Sequence, residues 1–163
     1  MKRYIALILS IALWFAFSSC GTDEKPPTEC NLGETVAFTN GVQFTVTEAN
    51  FATEIKGTYT TYRADDGNKY LLLKITVVNN SKETFKSDGK YIWLNYNGAR
   101  IAQIKLVSTW SYGYDDIMQS PTTSVTYNSF FQVGNQIELS DLALIISNGR
   151  SLFEERLTIM LTP

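Results

Sequence analysis

From Leu32 onward the chain alternates apolar and polar residues with a period of two. Val42, Phe44 and Val46 alternate with Gln43, Thr45 and Thr47, and Leu71, Leu73, Ile75 and Val77 share one side of a longer run. Val125, Tyr127, Ser129, Phe131 and Val133 line up in the same way, and Leu157, Ile159 and Leu161 alternate with Thr158, Met160 and Thr162. Successive side chains of an extended chain point to opposite faces, so each segment predicts a strand with one buried face. Tyr91 to Tyr96 is apolar on both faces and predicts a central strand. The punctuation between segments is turn chemistry: Asn40-Gly41, Asp66-Gly67, Asp88-Gly89, Asn97-Gly98 and Asn148-Gly149 supply residues that tolerate the backbone angles of tight reversals. No stretch carries a helical period over three turns. About seven to eight strands with regular turn signals predict an all-β domain, an antiparallel sandwich with a small barrel as the alternative.

The first twenty residues follow a different rule. Lys2 and Arg3 precede an apolar run from Tyr4 to Phe17, broken only by Ser10 and followed by Ser18 and Ser19. This is the layout of a secretory signal. It is too short for a permanent span, which needs about 20 apolar residues, and the polar stretch Gly21 to Pro27 follows at once. Residues 1–19 are therefore read as a cleaved signal peptide. Phe17-Ser18-Ser19-Cys20 resembles the lipobox of bacterial lipoproteins, with Phe17 where Leu is usual. The resemblance implies that Cys20 is diacylated, with palmitate-type chains, and becomes the mature N-terminus. Acyl chains at about 0.8 kcal/mol per buried CH₂ would hold the protein on its membrane. Gly21 to Glu29 holds Thr, Pro and charge without an apolar residue, so residues 20–31 read as the lipidated cysteine and a flexible tether, and 32–163 as the folded domain. Asp23 and Glu24 faintly resemble the acidic signals that send some lipoproteins to the cell surface.

Cys30 is the second of two cysteines. With Cys20 in a thioether it has no disulfide partner, and without a neighbouring Lys, Arg or His to lower its pKa it reads as an unreactive residue near the start of the fold. A Cys20 to Cys30 disulfide competes only if lipidation fails.

Composition narrows the function classes. The 163 residues are 44% hydrophobic and 18% charged, enough apolar matter for one domain with a core. Fourteen Lys and Arg face sixteen Asp and Glu, and loss of Lys2 and Arg3 takes the mature chain to about −4. Such a chain has no basic surplus to neutralise a row of phosphates, so nucleic acid is not an expected partner. Histidine is absent, which removes Ser-His-Asp and Cys-His catalysis and imidazole metal sites.

Several segments carry candidate chemistry. Trp110, Tyr112 and Tyr114 alternate and run into Asp115 and Asp116 where the strand signal fades. Flat aromatics beside acids suit stacking on a sugar or anchoring a protein partner; the same pattern suits an edge strand with half-buried rings. Tyr59, Tyr62 and Arg63 sit in the connection Gly57 to Asp66, longer than the two to five residues of an ordinary hairpin loop. Asp65-Asp66-Gly67-Asn68 offers oxygen ligands but lacks the twelve-residue calcium loop with its closing Glu, and reads as a turn. Asn79-Asn80-Ser81 matches a glycosylation acceptor by letters and reads as the polar end of a strand. Ser81 and Lys82, adjacent in sequence, would point to opposite faces of a strand, so no activated nucleophile stands out. No catalytic residues, metal site or cofactor are expected.

One resemblance spans about Leu32 to Val133. The segments Asn31-Leu32-Gly33-Glu34-Thr35-Val36, Val42 to Val46, and Gly67-Asn68-Lys69-Tyr70 through Asn79-Asn80-Ser81 look like the telokin-like domain of unknown function in bacterial lipoproteins. Tyr91-Ile92-Trp93-Leu94 through Gly98, and Pro121 leading into Val125 to Val133, are similar to its later strands, with Thr122 where that family commonly has glycine. The resemblance implies an immunoglobulin-like sandwich with no catalytic residues to carry over. The function expected is a non-enzymatic, lipid-anchored interaction module of the cell envelope with a protein partner there or outside. A small-ligand or glycan binder using Trp110 to Asp116 is the alternative, and an enzyme or enzyme inhibitor a third reading.

Overall fold

In the computed structural model, which describes residues 28–86, 91–104, 106, 118–119, 121–149 and 154–162, the period-two segments become the long strands of two sheets. In chain order the strands are β1 (Glu29–Asn31), β2 (Thr35–Ala37), β3 (Val42–Ala52), β4 (Glu54–Lys56), β5 (Thr61–Arg63) and β6 (Asn68–Asn79). There follow β7 (Phe85–Lys86), β8 (Ile92–Tyr96), β9 (Ala99–Ala102), β10 (Met118–Gln119), β11 (Thr123–Gly134), β12 (Leu142–Ser147) and β13 (Arg156–Met160). One sheet has five strands in the order β1-β13-β12-β8-β9, and the other has four in the order β11-β6-β3-β2. Two short ladders pair β4 with β5 and β7 with β10, and Ile104 bridges to Phe130 of β11. The architecture is an all-β sandwich, and its neighbouring strands run antiparallel except β1 and β13, which are parallel.

The two main sheets hold nine strands among the described residues, more than the seven to eight that hydrophobic alternation predicts. The surplus comes from three-residue strands such as β1 and β2, too short to display a period. β1 also moves the start of the domain. Glu29 to Asn31 pair with Thr158 to Met160, so the last residues of the segment 20–31 that composition marks as tether belong to the sheet. Parallel pairing with the far end of the chain leaves no local mark in three residues.

The predicted faces are buried. Val42, Phe44 and Val46, then Leu71, Leu73, Ile75 and Val77, pack with Tyr127, Phe131, Val133, Leu157, Ile159 and Leu161 into one core between the sheets. A bulge between Val46 and Glu48 inserts one residue into β3, which moves the core-facing side from even to odd positions and aims Ala49 and Phe51 inward. β8 lies between β12 and β9, as its apolar character predicts, with Ile92 and Leu94 in the core. Asn97 (φ 48°) and Gly98 (φ 82°) join β8 to β9, and positive φ at both positions is what a two-residue reversal requires.

Where β6 ends, Asn79 is fully buried. Its Oδ1 accepts hydrogen bonds from the Ser81 amide (3.0 Å) and hydroxyl (2.6 Å), and its Nδ2 donates to the Glu83 carbonyl (2.9 Å). The side chain builds the reversal, as expected of a strand end, and is closed to glycosylation.

A second, smaller cluster lies on the outer face of the four-stranded sheet. The β4–β5 hairpin folds back there and buries Ile55 against Tyr70 and Phe130, with Tyr62, Leu72 and Ile104 packed around them. The Tyr70 hydroxyl donates to the Arg63 carbonyl (2.9 Å) and the Ala64 amide to the Thr53 carbonyl (3.0 Å), which fastens the base of the hairpin. Burial and the nearby Asp65 carboxylate push the Tyr70 phenol above its ordinary pKa, so it remains a donor.

Candidate interaction surfaces

The long connection after β3 is thus a strand hairpin, and it separates the three residues proposed from sequence. Tyr59, at the tip where the Gly57 amide donates to the Thr60 carbonyl (2.8 Å), is 91% exposed. Tyr62 faces the sheet and belongs to the outer cluster, because the two-residue alternation of β5 turns it inward. Arg63 points to solvent with its Nε 3.8 Å from Glu54 Oε2, a surface pair that contributes little. Of the three, Tyr59 and Arg63 stand exposed, and Tyr62 packs partly buried in the outer cluster.

Beside the hairpin base, at one open end of the sandwich, lies a groove of about 450 Å³ lined by Phe51, Ala52, Thr53, Glu54, Lys69 and Asn135. The bulge in β3 creates its floor by turning Phe51 inward. Lys69 Nζ sits 3.8 Å above the centre of the Phe51 ring, a cation–π contact that fixes the ammonium at the rim. An apolar floor with a held cation and the Glu54 carboxylate suits a small polar group or a partner's side chain.

The outer face of the five-stranded sheet forms the third surface. Trp93 and Ile145 are register partners on it, and Arg100 and Arg156 lie two residues beyond their own strands' neighbours on the same side. The Arg100 guanidinium stands 4.2 Å and that of Arg156 5.8 Å from the Trp93 ring. Glu154 takes both Nε and Nη2 of Arg156 at 3.0 Å and the Ser147 hydroxyl at 2.9 Å. The bonds from Arg156 and then Ser147 hold the Glu154 carboxyl below its usual range. Met160, 39% exposed, continues the face toward β1. The alternation of β8 marks Trp93 as apolar, but which cations flank it depends on the register of three strands and is not written in any one of them.

Other sequence candidates resolve into turns. Asp65 Oδ2 accepts from Gln132 Nε2 (2.6 Å) and its carbonyl from the Asn68 amide (2.9 Å), so this acid closes a reversal. Among the described residues no cluster of three or more metal-ligating side chains occurs. The Ser81 hydroxyl bonds Asn79 and the Glu83 carbonyl (2.8 Å). Cys30 packs half-buried against the core, its thiol 3.6 Å from the Glu34 carbonyl, and burial followed by the Glu34 charge pushes its pKa to about 11. Among the described residues no helix is long and apolar enough to cross a membrane. The signal peptide, Cys20, the turn Asp88-Gly89 and the segment with Trp110, Tyr112, Tyr114, Asp115 and Asp116 lie outside the described residues.

No family model matches the sequence, and no curated protein does. Solved structures do match. The yjhA protein of Bacillus subtilis aligns with a TM-score of 0.62 at 13% identity over 80% of this chain and 98% of its own. An uncharacterized β-sandwich protein of Clostridium difficile 630 aligns at 0.52 and 17% identity, over 85% and 96%. A candidate lipoprotein of Bacillus subtilis, ycdA, aligns at 0.55 and 14% identity over 74% of this chain, which spans 36% of that longer protein. At these identities the common property is the fold, and the chain is a β-sandwich of the kind seen in these bacterial proteins.

Proposed function

We propose that the protein is an exported lipoprotein, anchored through acylated Cys20, whose sandwich is a non-enzymatic interaction module with a protein partner in the envelope or outside it. The observation that carries this reading is the chain order: a signal layout and Phe17-Ser18-Ser19-Cys20 stand nine residues before the first strand of the sandwich, β1 at Glu29. The telokin-like resemblance from Leu32 to Val133 and the sandwich fold agree with a lipoprotein domain of immunoglobulin-like type. Tyr59, standing clear of the sandwich, and the aromatic segment from Trp110 are the contact points of this reading, since Tyr and Trp combine large area with a polar handle. A protonated Cys30 and a Ser81 engaged in a turn favour binding over nucleophilic chemistry. The groove over Phe51, with its fixed ammonium, favours a second reading as a small-ligand or glycan binder.

The test is photocrosslinking in cells with a probe at Tyr59 or Trp110 and a control at Lys82, combined with metabolic labelling by an alkyne-bearing fatty acid. A discrete protein adduct at the aromatic positions alone, with labelling that Cys20→Ala abolishes, is expected. Labelled, folded protein that yields no adduct from any position would reject the protein-partner reading in favour of the ligand reading.

A further inference from the structure

The core-facing row of β6 runs back through Val77, Ile75, Leu73 and Leu71, and its next member is a cation, Lys69. The β3–β6 ladder stops at Ala52 and Tyr70, so this lysine stands where the chain of β3 leaves the sheet at Thr53 for the hairpin. Its ammonium lies over the Phe51 ring, 3.8 Å from the centre. Among the described residues that ammonium meets no carboxylate at ion-pair distance. Glu54 lines the same groove but faces Arg63. The backbone amide of Asn135 donates to the Gly67 carbonyl (3.0 Å), which fixes this residue at the groove's other side.

We propose that this groove receives the C-terminal residue of a partner polypeptide. The α-carboxylate meets Lys69 Nζ, an apolar last side chain rests on Phe51 and Ala52, and Thr53 and Asn135 offer donors to the second carboxylate oxygen. This rests on the protein-partner reading and specifies how that partner is held; it does not depend on the anchor. Charge selects the ligand. Among the described residues lining the groove Lys69 is the one cation, so a single negative charge is matched. A dianionic phosphate calls for an arginine fork or several cations, and Glu54 adds repulsion. A cationic ligand is turned away, because the ring face that would attract it already holds Lys69.

Shape and the neighbouring strand select a chain end over a free acid. The groove is open, so a free small molecule would keep much of its surface in water, whereas sites for such ligands bury most of it. β2 pairs only with Gln43 to Thr45, and the Gly33 amide reaches the Val46 carbonyl. Among the described residues Glu48 to Ala52 therefore have a ladder partner on one side only, β6. An extended segment added to that free edge, running parallel to β3, gains main-chain hydrogen bonds and brings its own C-terminus to the groove beyond Ala52.

The test follows backbone amides by NMR in the full, processed protein in detergent micelles. The probes are N-acetyl-leucine, which copies a chain end, N-acetyl-leucinamide, which lacks the carboxylate, and free leucine, which adds an ammonium. N-acetyl-leucine is expected to shift Ala52, Thr53, Lys69 and Asn135 saturably at millimolar concentration, and the amide probe to bind about tenfold more weakly. Lys69→Met should abolish the preference for the acid and Lys69→Arg should restore it, with the β12 amides unmoved in both variants as the sign of an intact fold. An acetylated tetrapeptide with the same C-terminal leucine should bind more tightly and shift Glu48 to Asn50 as well. Equal binding of acid and amide, or equal binding of the acid by the unaltered protein and Lys69→Met, overturns the proposal. Free leucine binding more tightly than N-acetyl-leucine also overturns it, in favour of a free amino acid with its ammonium on Glu54. A Tyr59 crosslink in cells that persists in Lys69→Met, with no saturable shift from any probe, removes the groove from the interaction and leaves the protein partner standing. No crosslink and no saturable shift remove both.

Discussion

The sandwich holds two hydrophobic clusters of unequal rank. The inner one gathers residues from both sheets, among them Phe44, Leu73, Phe131 and Leu144, all at or near zero exposure. The outer one centres on Ile55, Tyr70 and Phe130, each 5–7% exposed, and joins the β4–β5 hairpin, with Ile104 and Leu106, to one face of the four-stranded sheet. Each cluster keeps one buried phenol, Tyr127 in the inner and Tyr70 in the outer, and the Tyr70 proton bonds the Arg63 backbone. The difference separates two tasks. Burial between the sheets joins the two layers, and burial beneath the hairpin holds the strands that carry Tyr59. An insertion held by its own small cluster can change its exposed tip without disturbing the strands beneath it.

The sharpest way to break this division is to compare truncations in the two clusters. Phe131→Ala or Leu144→Ala, with no room for collapse between paired sheets, is expected to cost about 3–5 kcal/mol of global stability in denaturant melts. Ile55→Ala removes similar atoms, yet it should cost less globally, about 1–2 kcal/mol, a value below the usual range for a core isoleucine because the hairpin can open by itself. Its larger effect should be on amide exchange, with the amides of Gly57 and Ala64 losing protection while those of β6 keep theirs. Equal global losses from Ile55→Ala and Leu144→Ala would show that the hairpin belongs to the same cooperative unit.

A medium effect is expected at Gly149. It has φ +69°, and a Cβ there would stand 2.5 Å from the Tyr91 ring. Gly149→Ala combines left-handed strain with a steric clash, and is expected to cost about 1–3 kcal/mol. Tyr91→Ala in the same chain should restore the steric part and leave the strain. A double-mutant cycle by thermal melting reads the coupling, and additive losses would show that the ring does not press on the turn.

The inner cluster was legible in the sequence because it repeats. Val42, Phe44 and Val46 or Leu157, Ile159 and Leu161 announce their buried side in a few residues, and Asn97-Gly98 announces the reversal that follows β8. The outer cluster was not legible, because Tyr70 and Phe130 sit on the side of β6 and β11 that alternation assigns to solvent, and the β4–β5 hairpin, Ile104 and Leu106 cover them only in the folded chain. The partial burial of Tyr62 is hidden from alternation for the same reason. The bulge after Val46 hid the inward turn of Phe51, and hence the floor of the groove, since one inserted residue reverses every face beyond it. Trp93 was visible as an apolar residue of a central strand. Its guanidinium neighbours come from β9 and β13, brought together by register alone.

The smallest expected effect concerns the rank of β1, which joins the tether to the inner cluster. Its central residue, Cys30, pairs in register with the buried Ile159, and its thiol carries a pKa of about 11 in place of 9.0. At pH 7 alkylation by iodoacetamide should therefore be far slower than for a model thiol, because the thiolate is the nucleophile. The rate should climb until about pH 11. The linkage has a definite sign: the folded state binds the thiol proton more tightly than the unfolded chain, so this group leaves stability unchanged below about pH 9 and lowers it between 9 and 11. The half-exposed position keeps that loss modest. Labelling under mild denaturant then decides where β1 belongs. A strand three residues long, held by a parallel ladder at the edge of its sheet, should detach before the sandwich unfolds. Cys30 is then expected to react faster than global unfolding allows, with a weaker dependence on denaturant than the melt. A labelling rate that tracks global unfolding at every denaturant concentration would place β1 within the inner cluster's cooperative unit, and the tether would then pull on the whole sandwich instead of on one detachable strand.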